Sequence, residues 1–477
     1  MARAAAPRHV PPPGHEEAAL QALIDAALRL DAVAQPQSHA AAAALQAARH
    51  LWHDTIGCAW AGYGAAEVAA LGDLHASLAP GHFRPPGGRA ALGATAGAFV
   101  NAVAACRDEA CEGLALAHGR PGVPVIAALW ALAAHRPLRW GELLQATVFG
   151  YQVGGAMGEY LRILPGMHVD GVWPSLGAAA AVAQALQLPP PRIVDAVETC
   201  ASQLGASLYL PIAQGSAARN TYLGHSAWLG LTSALSAAAG IAGPRGAARE
   251  FAHRVLQRPA CEGPRVHATA LIEQAYWKPY ACVRHVQYGA RAAQRLRGAL
   301  RAAGERKAGD GGDGGERDEA ADATAAIASL HLRVYPEAIT YCGNRAPASA
   351  IAAQFSLSHG VAAMLVHGDL GPAEFGPECL ADPRVRRLEA MVELIPEPEH
   401  FGPGGRGAVL ELSLGGHTHR EEVRAIEGDL GCPPTLAQRR TKFAQYCGGS
   451  PAALALGERL LGAPLDADAS QVLEVFE

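Results

Sequence analysis

The chain has 477 residues, 50% of them hydrophobic and 17% charged, so it can bury a large core and is no disordered tail protein. Its 39 basic and 44 acidic side chains leave a net charge of −5 at pH 7, which excludes an overall basic field able to hold nucleic acid or an anionic membrane. Apolar stretches such as 122–134 fall short of the roughly 18 residues a membrane span needs.

The chain opens on MARAAAPRHVPPPGHEE, with a proline triplet where a secretory signal would need an apolar run; residues 1–15 are expected to be disordered and the protein cytoplasmic. The ten cysteines are scattered and form no C-x-x-C, which favours reduced thiols in a reducing compartment over zinc or disulfides. From residue 16 to 265 the pattern is helical. Leu20, Leu23, Ile24, Ala27 and Leu28 follow one helical face, and Leu45, Ala48, Trp52 and Ile56 continue the three-to-four-residue step. Abundant alanine, with glycines such as Gly150, Gly154 and Gly155, suits close helix packing.

The character changes from residue 266 to 431, which reads as a smaller α+β domain. Leu330, Leu332 and Val334 alternate with Ser329, His331 and Arg333, and Leu410, Leu412 and Leu414 alternate with Glu411 and Ser413, both as half-buried strands. Between them, residues 349–365 have the length and apolar content of one helix. The Gly- and charge-rich tract 305–322 reads as a flexible surface insertion. Residues 432–477 are helical again from Thr435 and are expected to return to the first domain.

Five segments carry groups suited to chemistry. In NAVAACRDEACEGLALAHGRPGVPV, Asp108 precedes His118 between two apolar helices; the bland alternative is a solvated loop. In ILPGMHVDGVWPSLGAAAA, His168 precedes a Gly-Val-Trp-Pro break, where it could equally cap a helix. QGSAARNTYLGHSAWLG offers Arg219, and YWKPYACVRHV offers Lys278, Arg284 and His285 among aromatic neighbours. YCGNRAPASAIAAQFSL begins with Tyr341. His417 and His419 lack a third ligand, so a wet strand is preferred to a metal site. No phosphate-loop, nucleophile-elbow or zincin motif is present. Proton removal beside a carboxylate needs a base poised near neutrality and fixed cations on the developing oxyanion. Histidine supplies the first, Arg and Lys the second.

In order and spacing these segments resemble the MmgE/PrpD family, which includes 2-methylcitrate dehydratase, cis-aconitate decarboxylase and iminodisuccinate epimerase. The likeness runs from about residue 17 to 455. It implies a mainly α fold with a large all-helical domain, a smaller α+β lid and a cleft site between them, in a homodimer that works without metal or other cofactor. Carried over residue by residue, Asp108 and His118 match the family's first loop, and His168 opens its H-x-x-G segment. Lys278 opens the lid's K-x-[YF] segment, Tyr341 stands fifteen residues before Ser356, and Lys442-Phe443 matches a C-terminal K-F. Departures are Gly119 after His118, Arg219 in place of a frequent lysine, and Gln287 in place of a second lid histidine.

The resulting expectation is a dehydratase-type lyase acting on a small di- or tricarboxylate. His118 and His168 would be base and acid in either order, Asp108 orienting one of them. Arg219, Arg284, Lys278 and Tyr341 would hold carboxylates. Epimerisation, decarboxylation and an inactive binding scaffold are the alternatives.

Overall fold

The computed structural model describes residues 17–30, 38–87, 89–259, 263–308, 324–402 and 404–475. The stretch 1–15 expected to be disordered lies outside them, as does most of the tract 305–322; residues 305–308 belong to a helix, Arg284–Ala308.

The fold is mainly α with a small α+β domain. Helix His39–Tyr63 starts where the Ser38 hydroxyl accepts from the Ala41 N–H, and it buries Leu45, Ala48, Trp52 and Ile56. Trp52 Nε1 donates to Thr147 Oγ1 at 2.8 Å, tying this helix to Trp140–Tyr160. Helix Gly122–Ala133 has no polar face and is buried on every side, as an all-apolar helix must be in water.

Helix Pro174–Ala185 packs between several other helices. Its small side chains let two neighbours approach at backbone distance, Trp140–Tyr160 on one side and Thr221–Ala238 on the other. A Cβ added to Gly150 would stand 2.7 Å from the Gly177 carbonyl oxygen, and one added to Gly230 would stand 2.5 Å from Ala178 Cβ. The alanine and glycine content therefore sets the interhelical distance.

The α+β domain holds a four-stranded sheet in the order Val392–Pro396, Ile327–Val334, Ala408–Leu414, His417–Val423. The first pair is parallel and the others antiparallel. Leu330, Leu332 and Val334 lie opposite Leu412, Leu410 and Ala408 and are buried; His331 and Arg333 alternate with them on the wetter face. Helices Arg284–Ala308 and Leu357–His367 cover the apolar face. Gly415 and Gly416, both at positive φ, make the two-residue hairpin that fixes the register of Leu414 against His417. His417 and His419 lie on this last, largely wet strand, and the described residues include no cluster of three or more His, Cys, Asp or Glu placed to hold a metal.

The segment 349–365 differs from expectation: it is two helices, Ala350–Gln354 and Leu357–His367. Ser356 explains the break, since its hydroxyl accepts from the His359 N–H at 3.1 Å and starts a new helix. The tail packs back on the helical part. Helix Leu436–Tyr446 begins with a Thr435/Gln438 capping box, stacks Phe443 on His53 at 4.3 Å and sets Lys442 Nζ 2.6 Å from Asp54 Oδ1. A two-residue ladder pairs Gly113 with Tyr276 and Leu114 with Ala275, joining the loop after Ala94–Cys106 to the segment that carries Lys278. It is too short to have a sequence period.

Substituting Gly150 with valine should destabilise the protein by about 2 kcal/mol or more through overpacking against Gly177. Urea denaturation measures it; a change within error would mean that the two helices can separate without cost.

Candidate active site

The loop between Cys106 and Gly122 carries two non-glycine residues in the left-handed region, Glu109 at φ 53° and His118 at φ 55°. Such backbones persist only where surrounding contacts hold them. Glu109 is held by three cations. Lys278 Nζ donates to its Oε1 and to its carbonyl oxygen, each at 2.8 Å, Arg120 Nη1 lies 2.9 Å from Oε2, and Arg219 Nη2 contacts the same oxygen. All four residues are buried. His118 sits on a folded-back turn in which the Leu114 N–H donates to the Gly119 carbonyl at 2.8 Å. Trp173 fills the space under Gly119, where a Cβ would come within 2.4 Å of the ring. The glycine after His118 is thus a steric need of this chain.

Arg120 links the loop to the second histidine. Its other nitrogen, Nη2, pairs with Asp170 Oδ2, and Asp170 lies in the 3-10 turn immediately after His168. Burial works against an ionised Asp170, but Arg120 and His168 outweigh it and hold the carboxyl below its usual range. His168 Nδ1 accepts from the Asp170 N–H at 3.2 Å and stands 3.7 Å from Oδ2. Ser207 fixes its backbone on both sides, accepting from the His168 N–H at 2.8 Å and donating to its carbonyl at 2.6 Å. Because Nδ1 is an acceptor, the proton of the neutral ring belongs on Nε2.

These elements enclose one side of a cavity of about 650 Å³. His118, Arg162, His168 and Tyr209 line it from the helical part; Arg284, His285, Tyr341 and Arg406 line it from the α+β part. Burial, with Arg162 and Arg406 nearby, lowers the pKa of His118 against the opposing pull of Glu337. Burial and Arg120 lower that of His168 against Asp170. Both shifts favour the neutral ring at pH 7. His285 is pushed down to about 3 by burial and the neighbouring cations, and its Nδ1 lies 2.6 Å from the Tyr335 hydroxyl. Tyr341, at 45% exposure, stacks on His285 at 5.9 Å and meets Tyr209 edge-on at 5.7 Å.

The structure brings His118, His168, Arg284 and Tyr341 to this cavity and leaves three expected residues off its wall. Asp108 is buried and turned toward Arg107, whose Nη1 is 2.6 Å from Oδ1. The carboxylate that orients a cavity histidine is Asp170, two residues from His168, and that short spacing was its only trace in the sequence. Lys278 and Arg219 are committed to Glu109, and neither lines the cavity. Arg284 lines the wall but spends its charge on Asp429 at 2.6 Å and stacks on Tyr276 at 4.3 Å. Gln287 is fully buried and donates to the Cys282 and Tyr280 carbonyls, so this position presents nothing to the cavity. Sequence reasoning missed Glu109, Arg120, Arg162 and Arg406; the last lies in the Gly-rich stretch FGPGGRG, which has no periodicity to reveal it.

Residues 32–252 match the MmgE/PrpD N-terminal domain and residues 280–454 the MmgE/PrpD C-terminal domain. The chain belongs to the MmgE/PrpD family. No curated protein matches it.

Replacing Glu109 by alanine strands Lys278 and Arg219 in the interior and should cost about 3–5 kcal/mol by chemical denaturation. A Glu109→Gln/Lys278→Met pair should lose less than the sum of its single changes, because the two side chains interact directly. Strict additivity would contradict the pairing.

Proposed function

We propose that the protein is a cofactor-independent lyase that removes water from a small di- or tricarboxylate after taking a proton from the carbon beside a carboxylate. The observation that carries this reading is the pair of histidines, His118 and His168, that the helical part brings to a cavity lined from the α+β part by arginines and a phenol.

His118 is the base. Its ring makes no hydrogen bond among the described residues, and the arginines beside it disfavour its protonated form until a substrate proton is offered. His168 is the acid, since its acceptor Nδ1 leaves the proton on Nε2. In the reaction the C–H pair of electrons becomes the new C=C bond, His118 keeps the proton, the C–O bond breaks, and the hydroxyl leaves as water with the His168 proton. Tyr341 and Arg406 hold substrate carboxylates, where charge builds as the carbanion forms. Lys278 and Arg219 act as positioning residues through Glu109. The chemistry asks for no redox step.

The same donor supports a second reading, epimerisation, in which His168 returns a proton to carbon on the face opposite His118. Solvent deuterium entering the recovered substrate without elimination would favour that outcome.

The nine cysteines among the described residues are free, which fits a reducing cytoplasm. Trp228 and Leu235 on helix Thr221–Ala238, and Leu74 and Leu78 on helix Ala66–Leu78, are apolar side chains left exposed, which suits a homodimer. Light scattering at the mass of one chain would contradict the dimer.

Turnover of hydroxy-polycarboxylates, followed as double-bond absorbance, should fall roughly 100-fold or more in His118→Ala and His168→Ala. The acid limb of kcat/KM should lie below pH 6.5, because His118 must be neutral and its pKa is lowered. Unchanged rates in both variants would remove the assignments.

A further inference from the structure

Of the cations around the cavity, most are already neutralised by protein carboxylates. Arg120 is shared between Glu109 and Asp170, Lys278 and Arg219 converge on Glu109, and Arg284 pairs with Asp429. Two are not. Arg162, just after helix Trp140–Tyr160, donates Nη2 to the Leu116 carbonyl at 2.6 Å, while its Nη1 is buried without a hydrogen-bond partner. Arg406, just before strand Ala408–Leu414, forms no ion pair with any described residue. One comes from the helical part and the other from the α+β part. Both line the cavity, and both stand near enough to His118 to act on its ring. Two carboxylates act on this group, Glu337 on His118 and Glu159 on Arg162, but Glu159 is already engaged by Arg265 at 3.3 Å and His267 at 2.8 Å.

We infer that Arg162 and Arg406 form a carboxylate clamp that closes across the two parts of the molecule beside His118. This deepens the lyase reading and rests on it for the identity of the cavity as the active site. A guanidinium fork matches a carboxylate in plane, and two forks from opposite walls take one oxygen each. A carboxylate so held puts the adjoining carbon next to the His118 ring. It also puts two permanent charges where the electrons of the broken C–H bond are delocalised. The site therefore selects an acid whose reacting carbon is directly bonded to the clamped carboxylate. Lys278 and Arg219, the cations most visible in the sequence, are not those that select it.

Malonate and succinate serve as probes in calorimetric titrations at pH 7. The wild-type protein binds at least one of them, and Arg406→Gln weakens binding roughly tenfold or more, as loss of a charged hydrogen-bond pair does. Arg162→Gln does the same, but it also loses the Leu116 contact, so Arg406→Gln decides. A second readout needs no ligand: the His118 titration followed by NMR moves upward in Arg406→Gln, toward the ordinary histidine value. Failure of the wild-type protein to bind either diacid, or equal affinity in Arg406→Gln with an unmoved His118 titration, overturns the clamp. Arginine-dependent binding with no turnover of any polycarboxylate leaves the clamp standing and sinks the lyase reading. Turnover with an unchanged KM in Arg406→Gln does the reverse.

Discussion

One buried carboxylate organises this molecule. Glu109 stands in a left-handed backbone conformation and gathers Arg120, Arg219 and Lys278, which arrive from three separate stretches of chain. Buried alone, each of these charges would cost several kcal/mol of lost solvation. Buried together, each is bearable only while the others are in place. That mutual dependence joins the loop before His118, the turn after His168 and the segment at Lys278. The two-residue ladder of Gly113–Leu114 on Ala275–Tyr276 and the Lys442 contacts to Asp54 and the Ala110 carbonyl carry the same loop from its other side. The contact between the α+β part and the helical part is thus built on electrostatics over a core fixed by small residues.

The cluster also sets the electrical conditions of the cavity. Glu109 and Asp170 take up buried positive charge; beyond burial, Arg162 and Arg406 lower the pKa of His118 against Glu337, and Arg120 lowers that of His168 against Asp170, so both shifts favour the neutral ring. Neutral histidines with different hydrogen-bond environments can divide the work of acid and base. His168 is fixed by Ser207 and Asp170, whereas His118 projects from a strained turn with its ring unbound.

Much of the fold was legible in the sequence because burial leaves a period. The helical faces of Leu20–Ala27 and Leu45–Ile56, and the alternation around Leu332 and Leu412, all lie where the pattern put them. The break at Phe355 was hidden because Ser356 reads as an ordinary polar position until its hydroxyl is seen capping the next helix. Of the site, the two histidines, Arg284 and Tyr341 were recognisable, since they stand out against apolar surroundings. The commitments of charge were not. Which of the two buried carboxylates, Asp108 or Glu109, meets the interior cations depends on one left-handed residue, and whether a cation is free depends on partners more than a hundred positions away. Arg406 carried no local signal at all, only a place in the folded chain.

The proposed division of labour between the two histidines is open to direct observation. Nitrogen-15 NMR at pH 7 reports the protonation and tautomer of each ring. The account predicts that both are neutral and that His168 carries its proton on Nε2, with Nδ1 accepting from the Asp170 amide. A charged His118, or a His168 proton on Nδ1, would contradict it.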